Sequence, residues 1–279
     1  MTRRAAITGY PVTHSRSPLV HGYWLKLHGI DGTYERVGVP PESAEAFYRD
    51  FASSGLVGCN VTVPNKEVAA QACDDLDEAA KAMGAANTLW LDEAGRLCGA
   101  NTDGIGFLGN LDQMAPGWDE NCGAALVLGA GGAARAIVWA LLSRGIAPVY
   151  IANRTEQKAK DLAAHFEGDS KVLSWDNTGT VLENVSLLVN TTSLGMEGQP
   201  PLEIDLSPLP TDALVTDIVY APLETPLLAA ARARGNKVVD GLGMLLHQAV
   251  PGFERWFGVK PQVTDELRRL VLADLGIAP

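Results

Sequence analysis

Apolar positions change their spacing repeatedly along this chain, and each change marks an element. Runs such as "AAITGYP" (5–11), "TYERVGV" (33–39) and "VGCNVTV" (57–63) read as strands bounded by Gly and Pro. Amphipathic stretches beginning at Ser17, at Glu42 and after Lys66 read as helices between them. Strands alternating with helices predict a mostly parallel α/β sheet. "NTLWL" and "LCGAN" around "DEAGR" predict a hairpin that supplies an antiparallel edge. After "NTDGIG" the pattern restarts with a buried strand, a glycine turn and a long helix in "GAALVLGAGGAARAIVWALLSRG". "PVYIANRT", "TEQKAKDLAAHF", "VSLLVNTT", "ALVTDIVY", a helix from Thr225 to Arg234 and "NKVVDG" continue a second α/β unit. The tail, "LGMLLHQAV" and "TDELRRLVLADLG", is helical and is expected to pack back on the first unit. The domains expected are therefore residues 1–103 completed by 242–279, and residues 104–241, joined by tight hinges near Asp103 and Gly241.

In "NVTVPNKE" (60–67) the alternation of strand side chains puts Val61 and Val63 on one face and Asn60 and Thr62 on the other. The valines are expected to face the core. Pro64 ends the strand, so Lys66 falls just beyond its tip.

Composition narrows what the chain can do. With 279 residues, 47% of them hydrophobic, it can bury a real core. A formal charge of −11 with no basic stripe argues against nucleic acid. No apolar run approaches the ~18 residues of a membrane span, and "MTRRAAITGYPV" has no signal-peptide core, so a cytoplasmic location is expected. Cys59, Cys73, Cys98 and Cys122 show no C-x-x-C spacing and are expected as free thiols, and no metal is expected. His14, His21 and His28 recur every seven residues, which suits surface or packing roles better than the i,i+4 spacing of a helical metal pair. An anionic ligand stays open, since charges beyond ~8 Å are screened and a few local cations can outweigh the global sign.

Gly129, Gly131 and Ala134 form G-x-G-x-x-A between a predicted strand and helix. The glycines let backbone approach a pyrophosphate, and the helix start offers free N–H groups. A tight turn without a ligand would use the same residues. About 20 residues on, where NAD enzymes place an acidic residue on the ribose, stand Asn153, Arg154, Thr155 and Lys158, with no carboxylate before Glu156. Two cations and neutral donors suit a 2'-phosphate, so the cofactor expected is NADP. Thr155 also reads as a helix N-cap.

Other polar residues gather at predicted strand ends and helix starts. Ser17 reads as an N-cap with Pro18 at the first helical position, and Ser15 adds a second hydroxyl. The pair reads either as a cap alone or as a carboxylate cradle. Asn60, Thr62, Asn87, Lys66 and Asp103 can hold a polyol and move a proton; a solvated helix start for Lys66 and an Asx-turn for Asp103 are the plainer alternatives. Met244 and Gln248 stand at i,i+4, on one face of a predicted helix.

At this point the chain resembles the shikimate dehydrogenase family along nearly its whole length. "HSRSP", "NVTVPNKE", "GAANT", "GANTDGIG", "GAGGAARA", "NRT", "NTTSLGM", "DIVYAPLETPLL" and "DGLGMLLHQA" match its motifs in order. The resemblance implies two α/β domains flanking a cleft, an N-terminal substrate domain with a mostly parallel sheet and a Rossmann-like NADP domain. It also implies reversible NADPH-dependent reduction of 3-dehydroshikimate to shikimate in aromatic amino acid biosynthesis. Ser15 and Ser17 would bind the carboxylate with Tyr220 nearby. Asn60, Thr62, Asn87 and Gln248 would hold ring hydroxyls, and Lys66 with Asp103 would be the catalytic pair. Gly129, Ala130, Gly131, Gly132, Ala133 and Ala134 would take the pyrophosphate and Asn153, Arg154, Thr155 and Lys158 the 2'-phosphate. Thr191, Ser193, Val219, Gly241 and Met244 would line the nicotinamide side. The Ser-x-Ser pair resembles the shikimate enzymes more than quinate-accepting relatives, which tend to carry Thr second. A quinate/shikimate enzyme using NAD and a silent NADP-binding sensor are the rival readings, and a homodimer is left open. One departure is His21-Gly22 where the family often has His-Asn; a glycine inside the first helix costs about 1 kcal/mol and leaves the site alone.

Overall fold

The computed structural model describes residues 2–166 and 169–277. Its contacts divide the chain into two compact units, Met1–Asp103 with Leu246–Pro279, and Gly104–Leu245. The return to the first unit thus falls at Leu246, inside a helix, where the sequence pattern suggested residue 242.

The first unit contains β1 (Arg3–Gly9), α1 (Ser17–Leu27), β2 (Gly32–Gly38), α2 (Pro41–Arg49), β3 (Gly58–Val61), α3 (Lys66–Ala72), β4 (Asp75–Leu76), α4 (Glu78–Met83), β5 (Thr88–Leu91) and β6 (Leu97–Ala100), and α5 (Asp103–Met114) starts at its last residue. The sheet order is β2-β1-β3-β5-β6-β4. β1 runs parallel to β2 and β3, while β5 is antiparallel to both β3 and β6. The hairpin is therefore not the edge, as expected, but interior: the short β4 pairs parallel to β6 outside it. Periodicity misses so brief a strand.

The second unit contains β7 (Ala124–Leu128), α6 (Gly132–Ser143), β8 (Val149–Ala152), α7 (Glu156–His165), β9 (Ser170–Leu173), β10 (Val185–Asn190), β11 (Leu214–Asp217), α8 (Pro226–Ala233) and β12 (Lys237–Val239). Its six strands run parallel in the order β9-β8-β7-β10-β11-β12, the doubly wound arrangement that reverses direction between β7 and β10. β7, fully buried, explains its unbroken "AALVL".

The tail folds as α9 (Leu242–His247), α10 (Val250–Phe257) and α11 (Asp265–Asp274). α10 lies on the first sheet: the Trp256 indole donates to Leu89 O at 2.9 Å and occupies the space where a Cβ on Gly58 would stand. Trp24, Phe253 and Trp256 are buried there, each such side chain contributing on the order of 2–3 kcal/mol. Among the described residues no helix is long and apolar enough to cross a membrane.

Two local expectations are corrected. β3 stops at Val61, because residues 62–65 turn back with Asn65 N donating to Thr62 O at 3.1 Å. Val61 is buried, but Val63 is 66% exposed rather than in the core. α9 ends at His247, so Gln248 sits in the turn before α10 and does not share a helix face with Met244.

Gly22 lies exposed on α1 with open space where a Cβ would project. Gly22→Ala should raise the unfolding free energy by about 0.5–1 kcal/mol, seen as a higher urea midpoint at unchanged slope. No rise would show that the site does not accept an unstrained helical alanine.

Candidate active site

Lys66, Asn87 and Asp103 converge because of strand direction. β3 and β6 both run antiparallel to β5, so the exits of β3 and β6 and the entrance of β5 share one end of the sheet. Lys66 opens α3 after β3, Asn87 precedes β5, and Asp103 opens α5 after β6. Lys66 Nζ donates to Asp103 Oδ2 at 2.6 Å, and Asn87 Nδ2 donates to Asp103 Oδ1 at 2.8 Å. The two charged side chains keep 29% and 17% of their surface open, enough for a ligand to reach a pair otherwise shielded from water.

Behind the pair runs a buried chain of donors. Tyr34 Oη donates to Asn60 Oδ1 at 2.7 Å, and Asn60 Nδ2 donates to Thr88 Oγ1 at 3.1 Å and to Asn87 O at 3.2 Å. Thr88 Oγ1 lies 3.1 Å from Asn87 Oδ1, to which it passes its own proton. Every step points toward Asp103, and aligned hydrogen bonds in a low dielectric reinforce one another. Asn60 is 3% exposed, and both its amide hydrogens and one lone pair of its oxygen are engaged inside the protein. Burial holds the Tyr34 phenol well above its usual range, so it remains a donor. His21 stacks on Tyr34 at 4.0 Å between ring centroids and is wholly buried.

The serine pair is arranged differently from a simple cap. α1 already includes Ser17, with Pro18 in its second position, and the Ser17 hydroxyl caps nothing. Instead Ser15 Oγ accepts from Ser17 N at 3.2 Å. Arg36 Nη2 donates to Ser15 O at 2.7 Å, placing a guanidinium beside the pair. Thr62 is half-buried, and its hydroxyl makes no hydrogen bond among the described residues. Tyr220 belongs to the second unit, whereas Ser15 and Ser17 belong to the first.

In the second unit a cavity of about 280 Å³ is lined by Gly129, Ala130 and Gly131, by Asn153, Arg154, Thr155 and Lys158, and by Trp175 and Thr191 to Leu194. It sits where β7 and β10 end, beside the reversal of strand order. Gly129 has φ +112, and a Cβ there would collide with Thr191 Oγ1, which donates to Leu128 O at 2.7 Å. Gly131 and Gly132 face open space in which a Cβ would project, so two glycines and the small Ala130 border the cavity before α6, with Ala133 and Ala134 in that helix. Among the described residues Arg154 and Lys158 make no ion pair. Thr155 precedes α7 without a side-chain cap, contrary to the cap reading; Asn153 Nδ2 donates to its carbonyl at 2.9 Å. A glycine-bordered helix start with two unpaired cations fits a dinucleotide bearing an extra phosphate. Asp217, buried and pushed upward in pKa by desolvation, accepts from Asn190 Nδ2, Val219 N and Thr225 Oγ1 at 2.8–3.1 Å and ties together the loops carrying Thr191, Ser193 and Val219. Gly241 packs directly against the carbonyl of Ile218, and Met244 lies half-buried in α9.

Family models match three segments: the shikimate dehydrogenase substrate binding domain at residues 7–89, shikimate / quinate 5-dehydrogenase at 116–196, and the shikimate 5'-dehydrogenase C-terminal domain at 241–272. The chain is 60% identical to the NADP(+) shikimate dehydrogenase of Azorhizobium caulinodans, over 98% of this chain and 97% of that one. The chain belongs to the shikimate dehydrogenase family. Among solved structures, shikimate 5-dehydrogenase from Thermus thermophilus in complex with NADP(H) and shikimate is 36% identical with a TM-score of 0.84, covering 96% of this chain and 99% of that one. Quinate dehydrogenase from Corynebacterium glutamicum in complex with NAD is 29% identical with a TM-score of 0.89, covering 98% and 99%.

Sequence reasoning missed Tyr34, Thr88, Thr102 and Trp175. Strand parity would have put Tyr34 and Arg36 on one face of β2, and Thr88 and Thr102 stand beside residues already singled out. Trp175, in a 3-10 turn far from the glycine motif, carries no local signal.

Burial pushes the His21 imidazole down to about 3. The unfolded chain then binds one more proton than the fold between roughly pH 6.5 and 3, so stability is full above that window and declines as pH falls through it. His21→Phe should remove about one proton from the slope of unfolding free energy between about pH 6.5 and 4.5, measured by urea titration. An unchanged slope would show that His21 charges in the fold.

Proposed function

We propose that this protein is an NADP-dependent shikimate dehydrogenase, reversibly reducing the carbonyl of 3-dehydroshikimate to the alcohol of shikimate in aromatic amino acid biosynthesis. The observation that carries the reading is the Lys66–Asp103 pair, 2.6 Å apart and partly open, with Asn87 on the other carboxylate oxygen. An ammonium there donates a proton to the oxygen of a reacting carbonyl while the carboxylate fixes its direction. When bound, NADPH supplies the hydride to the carbonyl carbon. In the reverse direction Lys66 takes the alcohol proton, with Asp103 holding the lysine in line. Thr62, Asn87 and Gln248 hold ring hydroxyls, and Asn60 holds Asn87 from behind. Ser15 and Ser17 receive the carboxylate, with Tyr220 assigned to the same end of the substrate. Gly129 to Ala134 take the pyrophosphate, Asn153 to Lys158 the 2'-phosphate, and Thr191, Ser193, Val219, Gly241 and Met244 the nicotinamide side. Residues 1–103 with the C-terminal helices act as the substrate domain and the remainder as the cofactor domain, working in the cytoplasm.

A two-by-two assay of shikimate and quinate with NADP+ and NAD+ tests the reading: shikimate with NADP+ should give the highest kcat/KM. Lys66→Ala should lower kcat about a hundredfold or more with little change in cofactor affinity, and a loss of tenfold or less would leave the lysine a binding role only. Arg154→Asp should raise the KM for NADPH far more than that for NADH; equal effects would remove the 2'-phosphate assignment.

A further inference from the structure

Thr102 immediately precedes Asp103, is 1% exposed, and has no part in the chemistry above. Its two polar groups reach residues from distant segments. The backbone N–H donates to Asn87 Oδ1 at 2.9 Å. The hydroxyl has one proton to give; it lies 2.8 Å from Gln248 O and 3.1 Å from Asn87 Oδ1, and the shorter contact takes it. Asn87 Oδ1 is thereby held inward by the Thr102 N–H and the Thr88 hydroxyl, and its nitrogen faces Asp103 with a second N–H left for a ligand. Asn87 presents donors only. The Gln248 carbonyl, in the turn between α9 and α10, is tied to the same residue, although Gln248 stands well over a hundred positions away in sequence.

We propose that Thr102 is a positioning residue for the substrate, whose hydroxyl joins the Gln248 turn to the loop bearing Asp103 and so sets the spacing between the hydroxyl-binding side chains of Asn87 and Gln248. This rests on the assignment of those residues to the substrate in the preceding subsection. Without the hydroxyl the bond that ties the Gln248 carbonyl to this loop is gone, and the turn is freer to shift relative to Asn87. A ring gripped from both sides tolerates little such drift, because small displacements of positioning groups carry large kinetic effects.

The test is steady-state kinetics with both substrates varied, on Thr102→Val and Thr102→Ser, together with hydrogen exchange at the backbone amides of residues 248–250. Thr102→Val should raise the KM for shikimate on the order of ten- to a hundredfold, leave the KM for NADP+ within about twofold and accelerate exchange in the turn. Thr102→Ser, which keeps the hydroxyl, should return both readouts close to wild type. A shikimate KM unchanged in a folded Thr102→Val protein, an equal rise for both substrates, or failure of serine to rescue would overturn the proposal. Should valine prevent folding, Thr102→Ala carries the same expectations. Wild-type protein that does not oxidise shikimate with NADP+ would instead overturn the functional reading, while exchange in the turn would still decide whether Thr102 holds it.

Discussion

The first unit is organised around keeping one ammonium and one carboxylate in contact at the edge of water. Such a pair at the surface is worth little and drifts; fully buried, it costs several kcal/mol in desolvation. Lys66 and Asp103 avoid both extremes because the charges are only partly covered and the carboxylate is held on its far side by Asn87. The antiparallel hairpin in an otherwise parallel sheet makes this possible. It brings the entrance of β5 to the same end as the exits of β3 and β6, so that an amide, an ammonium and a carboxylate from separate segments meet.

The supporting layer follows the same logic. A buried amide must satisfy an acceptor and two donors, and Asn60 does so wholly within the protein, through Tyr34, Thr88 and Asn87. Both of its donors are committed to the protein, and the residue braces Asn87 as a fixed post. The second unit contrasts with this. Its cavity is bordered by glycines and by cations that pair with no carboxylate among the described residues, an arrangement open to an incoming anion rather than closed on itself.

Much of this was legible in the chain. The alternation of strands and helices gave both sheets, "GAGGAA" between a buried strand and a helix marked the dinucleotide turn, and the missing acid near Asn153 pointed to NADP. What escaped was whatever depends on one residue of length or on contacts across segments. β4 has two residues, too few for a period, so the hairpin looked like an edge. Val63 continued an alternation that the turn at Thr62 had already ended. The bond from Tyr34 to the Asn60 oxygen joins two different strands, and local sequence does not reveal it. Ser17 looked like a cap because hydroxyl and proline spacing is the same when the helix starts one residue earlier, with the Ser15 hydroxyl accepting from the Ser17 N–H.

The seat of Trp256 has an implication for how the molecule is assembled. Its indole covers Gly58 and grips the carbonyl of Leu89, yet it lies near the end of the chain, after the entire second unit. During synthesis the doubly wound sheet has all its strands in hand while the earlier one still waits, with a bare patch over Gly58, for the tail to emerge. The order of translation and the order of completion are therefore reversed: the half begun first is closed last.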